Sequence, residues 1–243
     1  MCIIVVKGPG SDFAPKDSIA ECIRCNPHGF GMAWNENGEV KVYKTMDPRE
    51  ALAKYEALTR ELNPRTTAFI FHARIKTDGS IKLENCHPWV HNNLAFCHNG
   101  MLRNVECRDD LTDSETFFRD YFVPVWETGG LPLAFKVAKL AVKGTYNKFA
   151  FLDGDGNVTF VTGQNPFIKE DFGGPAHFRG KIYFSNTSYR PAFDNSFSEG
   201  LFAKSVEVKP AKKSSVTSGS GLPAVGYHGV RAGGATSFST KNK

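Results

Sequence analysis

Met1-Cys2-Ile3-Ile4-Val5-Val6 is the stretch whose reading decides the fold. The four aliphatics form the pattern of a buried strand, which Gly8-Pro9-Gly10 ends, and a cysteine stands at its mouth. Once Met1 is removed, Cys2 carries a thiol and a free α-amine on one residue. An α-amine titrates at about 8, so it can take the thiol proton without help from a histidine. If Met1 stays, Cys2 is a small buried thiol on an ordinary first strand. Both readings are open on these residues alone.

Working outward, polar clusters recur where apolar strands end. Thr66 to Phe71 is β-branched and aromatic and delivers His72-Ala73-Arg74; Leu94 to Cys97 delivers His98-Asn99-Gly100. Between them, residues 75–88 lack periodicity and are expected to form a long functional loop or lid. Phe30 to Trp34 and Val40 to Tyr43 flank Asn37-Gly38, a hairpin signal, and Lys148 to Leu152 and Val158 to Thr162 flank a second turn at 153–157. A further strand is expected over Lys181 to Ser185. Helices are expected over Asp17 to Arg24, from Asp47-Pro48-Arg49-Glu50 through Leu62, after Thr112-Asp113-Ser114-Glu115, and over Leu131 to Val142. At the two N-termini the acid three residues on is expected to reach back as in a capping box, and Phe117, Phe118, Tyr121 and Phe122 are expected to form one apolar face.

The chain has 243 residues, enough for one sizeable domain, with 41% hydrophobic and 23% charged content. Its net charge of +5 hints at nucleic acid until it is located. Six basic residues and no acidic one follow residue 208, so residues 1–208 carry 24 basic against 25 acidic groups, net −1. The folded body therefore has no basic footprint for nucleic acid. The Ser/Gly/Lys-rich segment 209–243 is expected to be a disordered tail. No apolar run approaches the roughly 20 residues of a membrane span, and no signal sequence opens the chain, so a cytoplasmic location with no membrane partner is expected. Six cysteines in a chain this long read as reduced thiols.

Met1-Cys2, Asn26-Pro27-His28-Gly29-Phe30-Gly31, His72-Ala73-Arg74 with Thr77 and Gly79, Asn85-Cys86-His87-Pro88, His98-Asn99-Gly100 and Thr112 to Glu115 follow one another in this order. Together they resemble the class II glutamine amidotransferases, within the N-terminal-nucleophile (Ntn) hydrolases, over roughly residues 1–122. The resemblance implies an α+β fold, a four-layer αββα sandwich of two antiparallel sheets with Cys2 on a central strand. It also implies hydrolysis of L-glutamine to glutamate and ammonia through a Cys2 thioester.

Each residue type has a physical reason. Glutamine presents an α-carboxylate and an α-ammonium, for which Arg74 offers a planar fork and Asp113 an acceptor. Bottom-up, Arg74 can equally be a salt-bridging cation and Asp113 a first-turn helix acid. Attack by Cys2 creates an oxyanion, which by resemblance Asn99 would meet with its side-chain amide and Gly100 with its backbone N–H. Thr77 is similar to the family residue that touches the substrate's polar end. His87 is expected to hold the lid through side-chain hydrogen bonds, while His72 and His98 are expected to be satisfied core histidines.

Three departures stand out: Ile3 after the nucleophile, and Ile75 and Asp78 in the lid, which put lid closure and its coupling to an acceptor in question. No metal or organic cofactor is implied. Cys22, Cys25, Cys86-His87 and Cys97-His98 lack the doubled spacing of a zinc site, and Asp153 to Asn157 reads as a turn rather than a calcium loop. Because residues 209–243 are too short and polar for a synthase domain, a separate synthetase or ligase is expected to receive the ammonia. Alternatives are an N-terminal-cysteine amidohydrolase of another γ-glutamyl or conjugated amide, and an inactive domain serving as an interaction module.

Overall fold

The computed structural model describes residues 2–107, 111–163, 177–179 and 181–190. Tail 209–243 lies outside them. In chain order the elements are β1 (Ile3–Lys7), α1 (Lys16–Cys25), β2 (Phe30–Glu36), β3 (Glu39–Thr45), α2 (Pro48–Glu61), β4 (Phe69–Ala73), β5 (Trp89–His91) and β6 (Leu94–Asn99). There follow α3 (Asp113–Thr116), a wide π-helical segment over Phe117–Phe122, α4 (Val123–Gly129), α5 (Leu131–Val142), β7 (Lys148–Asp153), β8 (Val158–Thr162), β9 (His177–Arg179) and β10 (Ile182–Phe184).

Among the described residues the strands form a six-stranded sheet, β3-β2-β4-β1-β10-β9, and a four-stranded sheet, β5-β6-β7-β8, both antiparallel. Period-two alternation sorts β1 between two layers. Ile3 and Val5 pack outward with Ile19 and Ile23 of α1 and Tyr55 and Leu58 of α2. Ile4 and Val6 pack inward with Ala33 and Ile70 of their own sheet and Ala95, Cys97, Ala150 and Leu152 of the other. Alanines and a cysteine on the facing surfaces let the two sheets approach. On the far side, Phe96, Phe149 and Phe151 pack under Phe117, Phe118 and Phe122 and Ala134 and Ala138 of α5. Four layers result, helix, sheet, sheet, helix, which is the αββα sandwich the sequence led us to expect, with β1 well inside the larger sheet.

Local rules account for most boundaries, and four details depart from expectation. Asp47 caps α2 by accepting from the backbone N–H groups of Arg49 and Glu50, but Glu50 does not reach back to it; its carboxylate accepts from the Thr45 hydroxyl instead. Tyr121 points to solvent, because the wider π-helical turn rotates it off the face formed by Phe117, Phe118 and Phe122. β5 was not anticipated, although Asn92 and Asn93 both take positive φ and make the tight hairpin from β5 to β6. α4 was likewise unexpected in a segment carrying Pro124 and closed by Gly129-Gly130. The 153–157 segment is a tight turn, with Asn157 donating from its backbone and side chain to the Asp153 carboxylate. No helix among the described residues is long and apolar enough to cross a membrane.

Candidate functional site

Cys2 sits just before β1, where that strand's start lies beside the end of β4, Ile3 opposite Ala73. Its Sγ rests on the backbone of Ile75: the Ile75 N–H donates to Sγ at 3.4 Å, and the thiol reaches the Ile75 carbonyl at 3.5 Å. The Asn186 side chain donates to the Cys2 carbonyl at 2.7 Å, fixing the residue from the other flank. Burial pushes the Cys2 thiol above its ordinary range, opposed by the Ile75 hydrogen bond and the charge of Arg74 and reinforced by Asp113. With Met1 attached, therefore, burial outweighs the neighbours that favour the thiolate.

Arg74 follows β4 directly and is buried. Its backbone is clamped to the turn before β2, N–H to the Gly29 carbonyl at 2.8 Å and carbonyl from the His28 N–H at 2.9 Å. Its guanidinium donates to the carbonyls of Asp78 at 2.7 Å and Ser80 at 2.9 Å, so it braces the 75–88 loop from inside. A guanidinium has five N–H donors, which leaves several for a carboxylate. The same loop is held at its far end because Gly31 has no side chain: a Cβ there would stand 1.8 Å from the His87 carbonyl oxygen. Thr77 lies exposed on this loop.

Asn99 ends β6, buried, with its side-chain nitrogen donating to the Ser185 hydroxyl oxygen at 2.8 Å. That same hydroxyl oxygen accepts from the Ile4 N–H at 2.8 Å, and the Ser185 N–H donates to the Ile4 carbonyl. One buried serine thus ties the strand of Cys2 in the first sheet to the end of β6 in the second. Asn99 Oδ1 has no partner among the described residues. Gly100 takes φ +150°, and a Cβ on it would stand 1.9 Å from Asn147 Oδ1, so only glycine fits.

Asp113 is the first residue of α3, after the N-cap Thr112, and its carboxylate reaches back to the chain beyond Gly100. One carboxylate oxygen accepts from the Leu102 N–H at 2.6 Å, the other from the Ser114 N–H at 2.7 Å and hydroxyl at 3.0 Å. Three of about four acceptor positions are thus filled and one is free for a ligand ammonium. Thr112 accepts from the Glu115 N–H, completing half of the expected capping box; Glu115 turns instead to Arg119, its Oε1 2.8 Å from the guanidinium.

His98 is a satisfied core histidine, its ring nitrogens 2.7 Å from the Ser114 hydroxyl and 2.9 Å from Asn147 Oδ1. His72 is half so: Nε2 meets the His98 carbonyl, while Nδ1 has no partner among the described residues. The expectation for His87 is corrected. Neither ring nitrogen is hydrogen-bonded among the described residues, and the ring packs at 4.0 Å on His72 and 4.2 Å on Trp89, so it serves as a spacer rather than a hydrogen-bonding post. Burial holds all three histidines below their ordinary range, His72 to about 3. Cys22 and Cys25 lie on α1 and Cys97 lies between the sheets, so the cysteines do not converge.

Sequence reasoning missed the residues that bind the parts together: Ser185, Asn186, Asn147 and Ser114. Asn147 accepts from the Met101 N–H at 2.6 Å and donates to the Met101 carbonyl at 3.0 Å, fixing the backbone just beyond Gly100. Only position could have flagged it: a lone amide in the residue before a buried strand.

The family model for class-II glutamine amidotransferases matches residues 9–130. That span holds Arg74, Asn99, Gly100 and Asp113, and Cys2 precedes it. A curated relative described as a putative glutamine amidotransferase, from Haemophilus influenzae, is 30% identical over 93 residues, covering 37% of this chain. The match spans only 30% of that relative's length. Among solved structures, a glutamine aminotransferase class-II domain protein from Silicibacter pomeroyi aligns with a TM-score of 0.41 at 16% identity, over 76% of this chain and 87% of that one. A glutamine phosphoribosylpyrophosphate amidotransferase from B. subtilis, complexed with ADP and GMP, aligns at 0.45 and 16%, over 76% of this chain and 41% of its own.

Proposed function

The chain belongs to the class-II glutamine amidotransferases, and from that premise we propose that it hydrolyses L-glutamine to glutamate and ammonia with Cys2 as nucleophile. The observation that carries this reading is the placement of Cys2 just before β1, its Sγ 3.4 Å from the N–H of Ile75, the residue after Arg74. The Ser185 bridge supports it by tying Asn99 to the same strand.

Met1 is removed first. The freed α-amine then takes the Sγ proton, and the thiolate forms a bond to the γ-carbonyl carbon of glutamine. The carbonyl electron pair moves onto oxygen, where the Asn99 side chain and the Gly100 N–H donate to it. Such pre-aimed donors are typically worth about 3 kcal/mol each. Collapse of the oxyanion breaks the carbon–nitrogen bond, the amine's proton leaves with ammonia, and a Cys2 thioester remains. Water, its proton taken by the same amine, cleaves the thioester and returns the thiol. Arg74 binds the α-carboxylate with the N–H groups it does not spend on the loop, Asp113 receives the α-ammonium at its free acceptor position, and Thr77 closes over the polar end of the substrate. In this reading the raised thiol of the Met1-bearing chain belongs to a precursor.

Ammonia passes to a separate synthetase or ligase, and pull-down with the full chain followed by glutamine-dependent amination in the mixture is the check on that part. The glutaminase reading is tested by glutamate release from glutamine with wild type and Cys2→Ala, alongside the intact mass of the active protein. Activity that survives in Cys2→Ala, or an active protein that still carries Met1, would overturn it.

A further inference from the structure

A second pocket, of 480 Å³, opens between the edge strands of the two sheets, β3 and β5, on the other side of the His87 ring from His72. That volume is within the range of small-molecule sites. Its walls include Lys44 and Val42 from β3, Trp89 and Val90 from β5, and Phe118 and Arg119 from the π-helical segment. None of these residues has a part in the cleavage proposed above.

The charges are what make the pocket unusual. Lys44 is half-buried, and its ammonium lies 5.6 Å from the centroid of the Trp89 ring. Among the described residues no carboxylate stands within ion-pairing distance of it. Burial holds its pKa below the usual lysine range, the sign of a cation short of compensation. Arg119 adds a second cation at the rim, and the buried Glu115, joined to Arg119 at 2.8 Å, is the acid closest in influence to both. Glu127 lies 3.2 Å from the ring of His91, which also lines the pocket. Arg119 is exposed and already paired with Glu115, so Lys44 is the cation that faces the pocket without a carboxylate partner among the described residues. Beside the charges the pocket has an apolar part: Trp89 and Phe118 lie buried beneath it with little of their rings open, and Val42 and Val90 are exposed at 37% and 45%.

We propose that this pocket is a second ligand site, taking an organic anion with an aromatic body: its carboxylate or phosphate lies against Lys44 and Arg119, and its ring lies among Trp89, Phe118, Val42 and Val90. The site is independent of glutamine, whose zwitterionic head would bring an ammonium up against Lys44.

Phenyl phosphate, benzoate and inorganic phosphate are the probes, titrated into the full chain while the indole N–H signal of Trp89 is followed by NMR. Phenyl phosphate or benzoate is expected to shift that signal saturably, more tightly than inorganic phosphate by about tenfold, the ring contributing about 1.4 kcal/mol. Which of the two aromatic probes binds more tightly distinguishes a phosphate ligand from a carboxylate one. Lys44→Met, which keeps the apolar stem, is expected to weaken binding about tenfold or more. Val90→Asp, at a position open enough to accept the change, tests the same charge preference without touching Lys44 and is expected to weaken binding similarly. Cys2→Ala and saturating glutamine are expected to leave the titration unchanged. No saturable shift, affinity indifferent to both Lys44→Met and Val90→Asp, inorganic phosphate binding as well as the aromatic probes, or displacement by glutamine would each overturn the proposal. None of these outcomes bears on whether Cys2 cleaves glutamine.

Discussion

His98 and His87 are buried alike, at 1% and 3% exposure, yet one has a partner at each ring nitrogen and the other has none among the described residues. His98 stands in a network running from Ser114 and Asp113 through its ring to Asn147, Met101 and the backbone beyond Gly100. His87 stands in a stack of rings between His72 and Trp89. The difference separates two uses of a buried imidazole. Where backbone N–H groups are held, hydrogen-bonded side chains tie them from several directions and the geometry is rigid. Where two layers need only be kept apart, the ring is used for its thickness, and its lost hydrogen bonds are a standing cost of about 1 to 3 kcal/mol per unsatisfied atom.

Breaking the tied side gives the largest expected effect. Asn147→Ala strips partners from His98 and from both backbone groups of Met101, and unfolding in urea should show a loss of about 4 kcal/mol, at roughly 1 kcal/mol or more per orphaned group. A loss below about 1 kcal/mol would mean that the network is slack. Next comes Gly100→Ala, whose Cβ would collide with Asn147 Oδ1 at 1.9 Å. Glutaminase kcat should fall about a hundredfold, close to the 3 kcal/mol of one oxyanion donor, while the fold, followed by circular dichroism, persists.

Acid tests both sides at once. A histidine whose folded pKa lies below its unfolded value stays neutral in the fold while the unfolded chain takes up a proton. Its contribution is therefore whole above an unfolded pKa of about 6.5 and is lost as pH falls toward the folded value. For His72, held to about 3, that window runs from about 6.5 down to about 3. His72 should add about 1.4 kcal/mol of lost stability per pH unit once below that upper edge, with His87 and His98 acting in the same direction, read as urea midpoints between neutral and mildly acidic pH. The smallest effect belongs to the stack: His87→Phe keeps the ring and removes two unsatisfied nitrogens, so stability at neutral pH should stay within about 1 kcal/mol or rise. The acid slope should lose one histidine's share, and an unchanged slope would show that His87 is already protonated in the fold.

Strand β1, the hairpins at Asn37-Gly38 and 153–157, and helices α1, α2 and α5 were legible because each rests on local periodicity or turn chemistry. β5 was hidden because three residues are too few for a pattern, and Tyr121 was misplaced because a π-helical turn has a different angular step. Cys2, Arg74, Asn99, Gly100 and Asp113 could be picked out as polar residues at strand and helix ends. What held them in place could not: Ser185 meets Ile4 across 181 positions and Asn99 across 86, and no local signal encodes a contact at that separation. The same holds for His87, whose neighbours on both faces come from packing rather than from sequence spacing.

Ser185 also sets a schedule. β1 is made well before its neighbour β10 and before the hydroxyl, 181 positions after Ile4, that locks it to Asn99. The strand that follows Cys2 is thus begun early and paired late. Chains halted in synthesis before Ser185 would hold Cys2 and Asn99 without the bolt between them, so in an incomplete chain the two would not be held in register.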